Sequence, residues 1–70
     1  MKRYKCLIDD YIPEGTILIL EQMDVGYENL APYWAYSYKF MKDGRWIFGE
    51  ISKRDVEERP SYYELIIEEY

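Results

Sequence analysis

The segment from Trp34 to Val56, WAYSYKFMKDGRWIFGEISKRDV, constrains the fold of this chain more than any other. Two aromatic-rich runs flank Asp43-Gly44, a dipeptide suited to the two-residue hairpin turn in which both central positions need positive φ. Tyr33 to Met41 alternates with period two, and Arg45 to Ile51 does so on the way back. Ser52 to Glu58 (SKRDVEE) has Val56 as its lone apolar residue. It is too short and polar for an independent helix, and reads as a single 3₁₀ turn over residues 52–57.

The flanking sequence supplies further strands. Arg3 to Ile8 sets Tyr4, Cys6 and Ile8 against Arg3, Lys5 and Leu7, and Asp9-Asp10 ends the run. Ile12-Pro13-Glu14-Gly15 is a turn. Thr16 to Met23 follows as a strand, and its continuous Ile17-Leu18-Ile19-Leu20 predicts burial on both faces, or one face on the core and one against a partner. Asp24 to Pro32 is a loop by composition, with Val25, Tyr27 and Leu30 as apolar residues that either cap one end of the fold or serve recognition. Tyr62 to Tyr70 fits a strand or a weakly striped helix; Pro60 and the aromatic and β-branched content favour the strand. The expectation is one all-β domain of five strands spanning residues 1–70.

Composition narrows the function classes. A chain of 70 residues buries only about 60% of its unfolded surface. One cysteine excludes an internal disulfide, and without histidine a zinc site has too few ligands. Dense aromatic packing or self-association must compensate, and 19% of the residues are aromatic. A net charge of −5 disfavours phosphate backbones. Glu57, Glu58, Glu64, Glu68 and Glu69 read as a solvated face, or more sharply as a surface for a basic partner. No apolar run is long enough for a signal peptide or a membrane span, so a cytoplasmic, reducing setting is expected.

Catalytic constellations fail in turn. The lack of histidine excludes the Ser-His-Asp and Cys-His arrangements. Cys6 lies mid-strand among apolar neighbours and reads as a packed thiol. The glycines at 15, 26, 44 and 49 are isolated rather than grouped in a phosphate loop. Asp9, Asp10 and Glu14 read as turn-capping residues. The expectation is a non-enzyme with no cofactor and no metal.

The order of parts resembles an SH3-like barrel over residues 3–58. Pro13-Glu14-Gly15-Thr16-Ile17-Leu18 is similar to the turn that opens its second strand, and Tyr33-Trp34-Ala35-Tyr36 to its aromatic doublet with a small core residue. Gly49-Glu50-Ile51, four residues, then Val56 is similar to its late strand, 3₁₀ turn and closing apolar position. The resemblance implies a small five-stranded barrel. It departs from signalling SH3 domains where only Ile12 to Glu14 separate Tyr11 from Gly15, and where Ser52 and Asp55 replace the Pro and Tyr of the 3₁₀ turn. Binding of proline-rich ligands therefore does not carry over. The small SH3-like proteins of bacteria and phages, which serve many unrelated binding roles, are the nearer likeness.

By this resemblance Gly49 and Ile51 point inward with Ile47, and Ala35 and Ser37 are expected to meet them from the facing strand. Trp34, Tyr36, Tyr38, Phe40, Trp46 and Phe48 then point outward, more apolar surface than a soluble monomer normally leaves open. The C-terminal strand could cover them through Tyr63, Leu65 and Ile67; a second copy could; or another protein could. Base stacking on single-stranded nucleic acid keeps some support from Lys39, Lys42 and Arg45. The leading expectation is a protein-interaction module with Trp34, Tyr36, Tyr38, Trp46 and Phe48 as anchors, Tyr27 and Leu30 as accessory contacts, and a basic partner. A structural homo-oligomer and a nucleic-acid-binding barrel are the alternatives.

Overall fold

The computed structural model describes residues 2–24 and 31–68, with side chains through residue 66. Five strands appear in chain order: β1 (Lys2–Cys6), β2 (Ile17–Met23), β3 (Tyr33–Lys42), β4 (Arg45–Ser52) and β5 (Tyr63–Glu68). The C-terminal segment is thus a strand. One helical turn, α1 (Lys53–Glu57), separates β4 from β5. All neighbouring strands are antiparallel, in the order β4-β3-β2-β1-β5. The expected closed barrel does not form: β4 and β5 are the two edges of a single open sheet. The radius of gyration, 12.9 Å, exceeds the roughly 11 Å of a compact chain this long.

The strands also pair over unequal lengths. β2 pairs with β3 only over Tyr33 to Ser37, whereas β4 follows β3 out to Lys42. The distal half of the hairpin is therefore a two-stranded ribbon. Its turn has φ values of 52° at Asp43 and 76° at Gly44, the left-handed pair that a two-residue turn demands.

That turn fixes the register, and the register corrects the face assignment. Lys42 pairs with Arg45, so Tyr36 faces Ile51, Tyr38 faces Gly49 and Phe40 faces Ile47. Directly opposed residues share a face. Bringing Gly49 and Ile51 inward therefore brings Tyr36, Tyr38 and Phe40 with them; Ala35 is buried as expected, but on the opposite face, where Ser37 is half-buried. Tyr36 is completely buried and joins Cys6, Ile12, Leu18 and Val56 in the core, with Tyr38, Phe40, Ile51 and Tyr63 packed around it. The Tyr36 ring meets Tyr4 edge-on at 5.2 Å. In β2, Leu18 is buried in this core while Ile17 on the other face is exposed, so only one face of that strand is covered.

The expected 3₁₀ turn is instead one α-helical turn, closed by packing and capping rather than propensity. Ser52 accepts a hydrogen bond from the Asp55 amide at 3.1 Å, an N-cap that satisfies one free donor of the first turn. Val56 is fully buried. Glu57 accepts from the Tyr36 hydroxyl at 2.8 Å and from Lys53 at 2.9 Å, and lies 3.7 Å from Lys2. Burial pushes the Glu57 carboxyl up, but the bonds from Lys53 and Tyr36 and the charges of Lys53 and Lys2 outweigh it and hold the group below its ordinary range.

Candidate interaction surface

The ribbon sorts its side chains by alternation. One face carries Tyr38 and Phe40, stacked at 6.0 Å, above the core. The other carries Met41, Trp46 and Phe48 with Lys39 between them. Phe48 is 71% exposed and Trp46 is 53% exposed, because β2 ends before it reaches them. The Lys39 ammonium lies 5.3 Å from the Trp46 ring centroid, a cation–π contact that orders both side chains without covering them. Lys39, Lys42 and Arg45 make the ribbon basic, although the whole chain carries −5. Of the acidic run expected to face a basic partner, Glu57 and Glu58 lie at the end of α1 and Glu64 on β5, away from the ribbon; Glu69 lies outside the described residues.

The two edges differ in protection. β5 carries Glu64, a charge of the kind that discourages strand addition. β4 runs Trp46-Ile47-Phe48 with all three exposed. Nearer the sheet centre, Tyr33 donates a hydrogen bond to Glu50, and Ser37 donates to Glu21 at 2.6 Å. The bond to Glu50 is the main reason the Tyr33 phenol is raised above its ordinary value.

Of the expected anchors, the fold brings together Trp46 and Phe48, and adds Met41, which alternation had placed on the face taken to be internal. Trp34 is 53% exposed but lies about 24 Å along β3 from Met41, at about 3.4 Å per residue. Tyr36 is buried and cannot meet a partner; Tyr38 is half-buried. Tyr27 and Leu30 lie outside the described residues. The C-terminal strand covers part of the aromatic set: Tyr63 of β5 packs in the core with Tyr36 and Tyr38, whereas Trp46 and Phe48 stay exposed because β5 pairs with β1, at the far side of the sheet from β4.

Among the described residues no group of three or more acidic, Cys or His side chains is placed to hold a metal, and no helix is long and apolar enough to cross a membrane. Cys6 is buried, with its thiol directed to the carbonyls of Ile8 at 3.1 Å and Ile12 at 3.8 Å. Comparison with known protein families, characterised proteins and solved structures finds no match to this chain.

Proposed function

We propose that this chain is a non-catalytic protein-interaction module of SH3-like organisation, cytoplasmic in setting, which engages a larger partner through its projecting β3–β4 ribbon. The observation that carries this reading is the clustering of Trp46, Phe48 and Met41, all more than half exposed, on one face of a ribbon that the rest of the sheet leaves uncovered. Tyr and Trp are favoured interface anchors because they supply area at little entropic cost. The strand order and the helical turn between β4 and β5 support the SH3-like part of the proposal. The test is affinity capture from extract of the native host, comparing the wild type with a Trp46→Ser/Phe48→Ser variant. A partner held by the wild type and lost by the folded variant supports the reading; identical retention by both refutes it.

A second reading is favoured by the β4 edge. An unguarded apolar edge strand pairs readily with another copy, giving a homo-oligomer. Light scattering at micromolar concentration separates the two, since a clean 8.6 kDa species removes self-association. Quenching of Trp fluorescence by single-stranded DNA at low salt would instead favour base stacking on the basic ribbon.

A further inference from the structure

The turn of the hairpin fixes which backbone groups of β4 are free. A two-residue turn bonds its flanking residues to each other, here Lys42 and Arg45. Bonded and unbonded pairs then alternate along the hairpin, so Arg45, Ile47, Gly49 and Ile51 direct their backbone groups to β3. Trp46, Phe48 and Glu50 direct theirs the other way, to the open edge of the sheet. Trp46 and Phe48 therefore offer a further strand a backbone donor, a backbone acceptor and an exposed aromatic side chain each.

The sequence of this edge is complementary to itself. When two β4 edges meet antiparallel about a two-fold axis, outward-directed residues must meet outward-directed residues. The registers with useful overlap centre on Trp46, Ile47, Phe48 or Gly49. Centred on Trp46, Ile47 meets Arg45 and Phe48 meets the turn residue Gly44. Centred on Phe48, Trp46 meets Glu50, whose carboxylate already accepts a hydrogen bond from Tyr33. Centred on Gly49, Phe48 meets Glu50 and Trp46 meets Ser52. Centred on Ile47, apolar meets apolar throughout: Trp46 against Phe48 of the second copy, and Ile47 against Ile47 of the second copy. The same register sets Arg45 against Gly49 of the second copy, so no charge lies opposite a like charge.

We propose that β4 pairs with β4 of a second copy in an antiparallel dimer whose two-fold axis passes through Ile47, joining two five-stranded sheets into one. The proposal rests on the edge-pairing reading of self-association above and adds its register. About five residues a side and about four backbone hydrogen bonds, against roughly 20–30 residues a side in a standard interface, make the dimer weak and reversible, dissociating in the micromolar range. Pairing covers the edge and not the faces. Met41, Trp46 and Phe48 of the two copies then form one strip across four strands, still open to a larger partner. A two-fold pairing closes after two copies and leaves the β5 edge, with Glu64, unused.

The experiment is sedimentation equilibrium from about 1 to about 200 µM, where the 8.6 kDa monomer should exchange with a dimer and with nothing larger. Ile47 is exposed in the monomer, and replacing it leaves Trp46 and Phe48 in place. Ile47→Lys and Ile47→Glu each set like charges face to face at the axis, and each should raise the dissociation constant about tenfold. An equimolar mixture of the two should return it to within about threefold of wild type. Under oxidised glutathione, Ile47→Cys should link two copies by a disulfide, since an unbonded antiparallel pair has its Cα atoms about 4.5 Å apart. Phe48→Cys should not, because it lies about 7–8 Å from its counterpart in this register. Cys6 is buried and does not compete. A wild type that stays monomeric throughout overturns the proposal and the edge-pairing reading together. A dimer insensitive to both charge variants, or one linked through Phe48→Cys and not Ile47→Cys, overturns the proposed register while the edge-pairing reading survives. Species larger than a dimer overturn the closed two-fold arrangement.

Discussion

The contact between Gly49 and Tyr38 gives a prediction whose sign depends on the background. Gly49→Ala introduces a methyl 2.5 Å from Tyr38 Cζ, where carbon atoms ordinarily approach no closer than about 3.5 Å. The ring must retreat by about 1 Å, and its stack on Phe40 at 6.0 Å is lost or strained. Overpacking of this kind costs about 1–3 kcal/mol, and the stack contributes about 0.5–1.5 kcal/mol. Against this, Ala restricts the unfolded chain and stabilises by about 0.4–1 kcal/mol where the backbone tolerates it. Gly49, unlike Gly15 and Gly44, lies outside the positive-φ region, so the backbone does tolerate it. The expected net loss is about 1–3 kcal/mol. In a Tyr38→Leu background the ring is absent, and the same substitution should become neutral or stabilising. Urea denaturation of the four proteins of this cycle measures the coupling directly, through shifts in midpoint at constant slope. Equal destabilisation in both backgrounds would refute the packing argument and place the cost in the β4 backbone.

Three further outcomes follow from the same structure. Ser52→Ala removes the N-cap of α1 and should cost about 1 kcal/mol in urea denaturation, with Ser52→Asp close to wild type. Because the Glu57 pKa is depressed, its contribution is full above the ordinary 4.5 and is lost as pH falls through the folded value; Glu57→Gln should be less stable at pH 7 and show a flatter acid limb in a pH series of melts. Tyr36→Phe deletes the hydroxyl that Glu57 accepts from and should lower stability by about 1–2 kcal/mol at neutral pH, with a smaller loss in the Glu57→Gln background, read by the same melts.

Much of the fold was legible in local chemistry. Asp43-Gly44 announced its turn because few other pairs adopt positive φ twice in succession. Alternation in β1 and the apolar run of β2 placed Cys6 and Leu18 in the core. The helical turn of α1 was not legible from segment length, because it is held by the Ser52 cap and by burial of Val56 against the sheet. The face assignment failed for a different reason. A two-residue turn makes the numbers of paired residues sum to 87, as Lys42 with Arg45, so even positions of β3 share a face with odd positions of β4. The pleat within each strand is legible from alternation, but the face the two strands share depends on the register between them. The length of the free ribbon could not be read, because β2 stops pairing with β3 at Ile19 and Ser37, inside the continuous apolar run Ile17-Leu18-Ile19-Leu20, where no residue marks that point.

The hairpin's aromatics divide between a core set around Tyr36 and an exposed set around Phe48. This division is tested most directly by comparing the unfolding free energies of Tyr36→Ala and Phe48→Ala. Tyr36→Ala should lose about 3–5 kcal/mol, enough to approach the whole stability of a domain this size, while Phe48→Ala should stay within about 0.5 kcal/mol of wild type. Comparable losses at the two positions would contradict it.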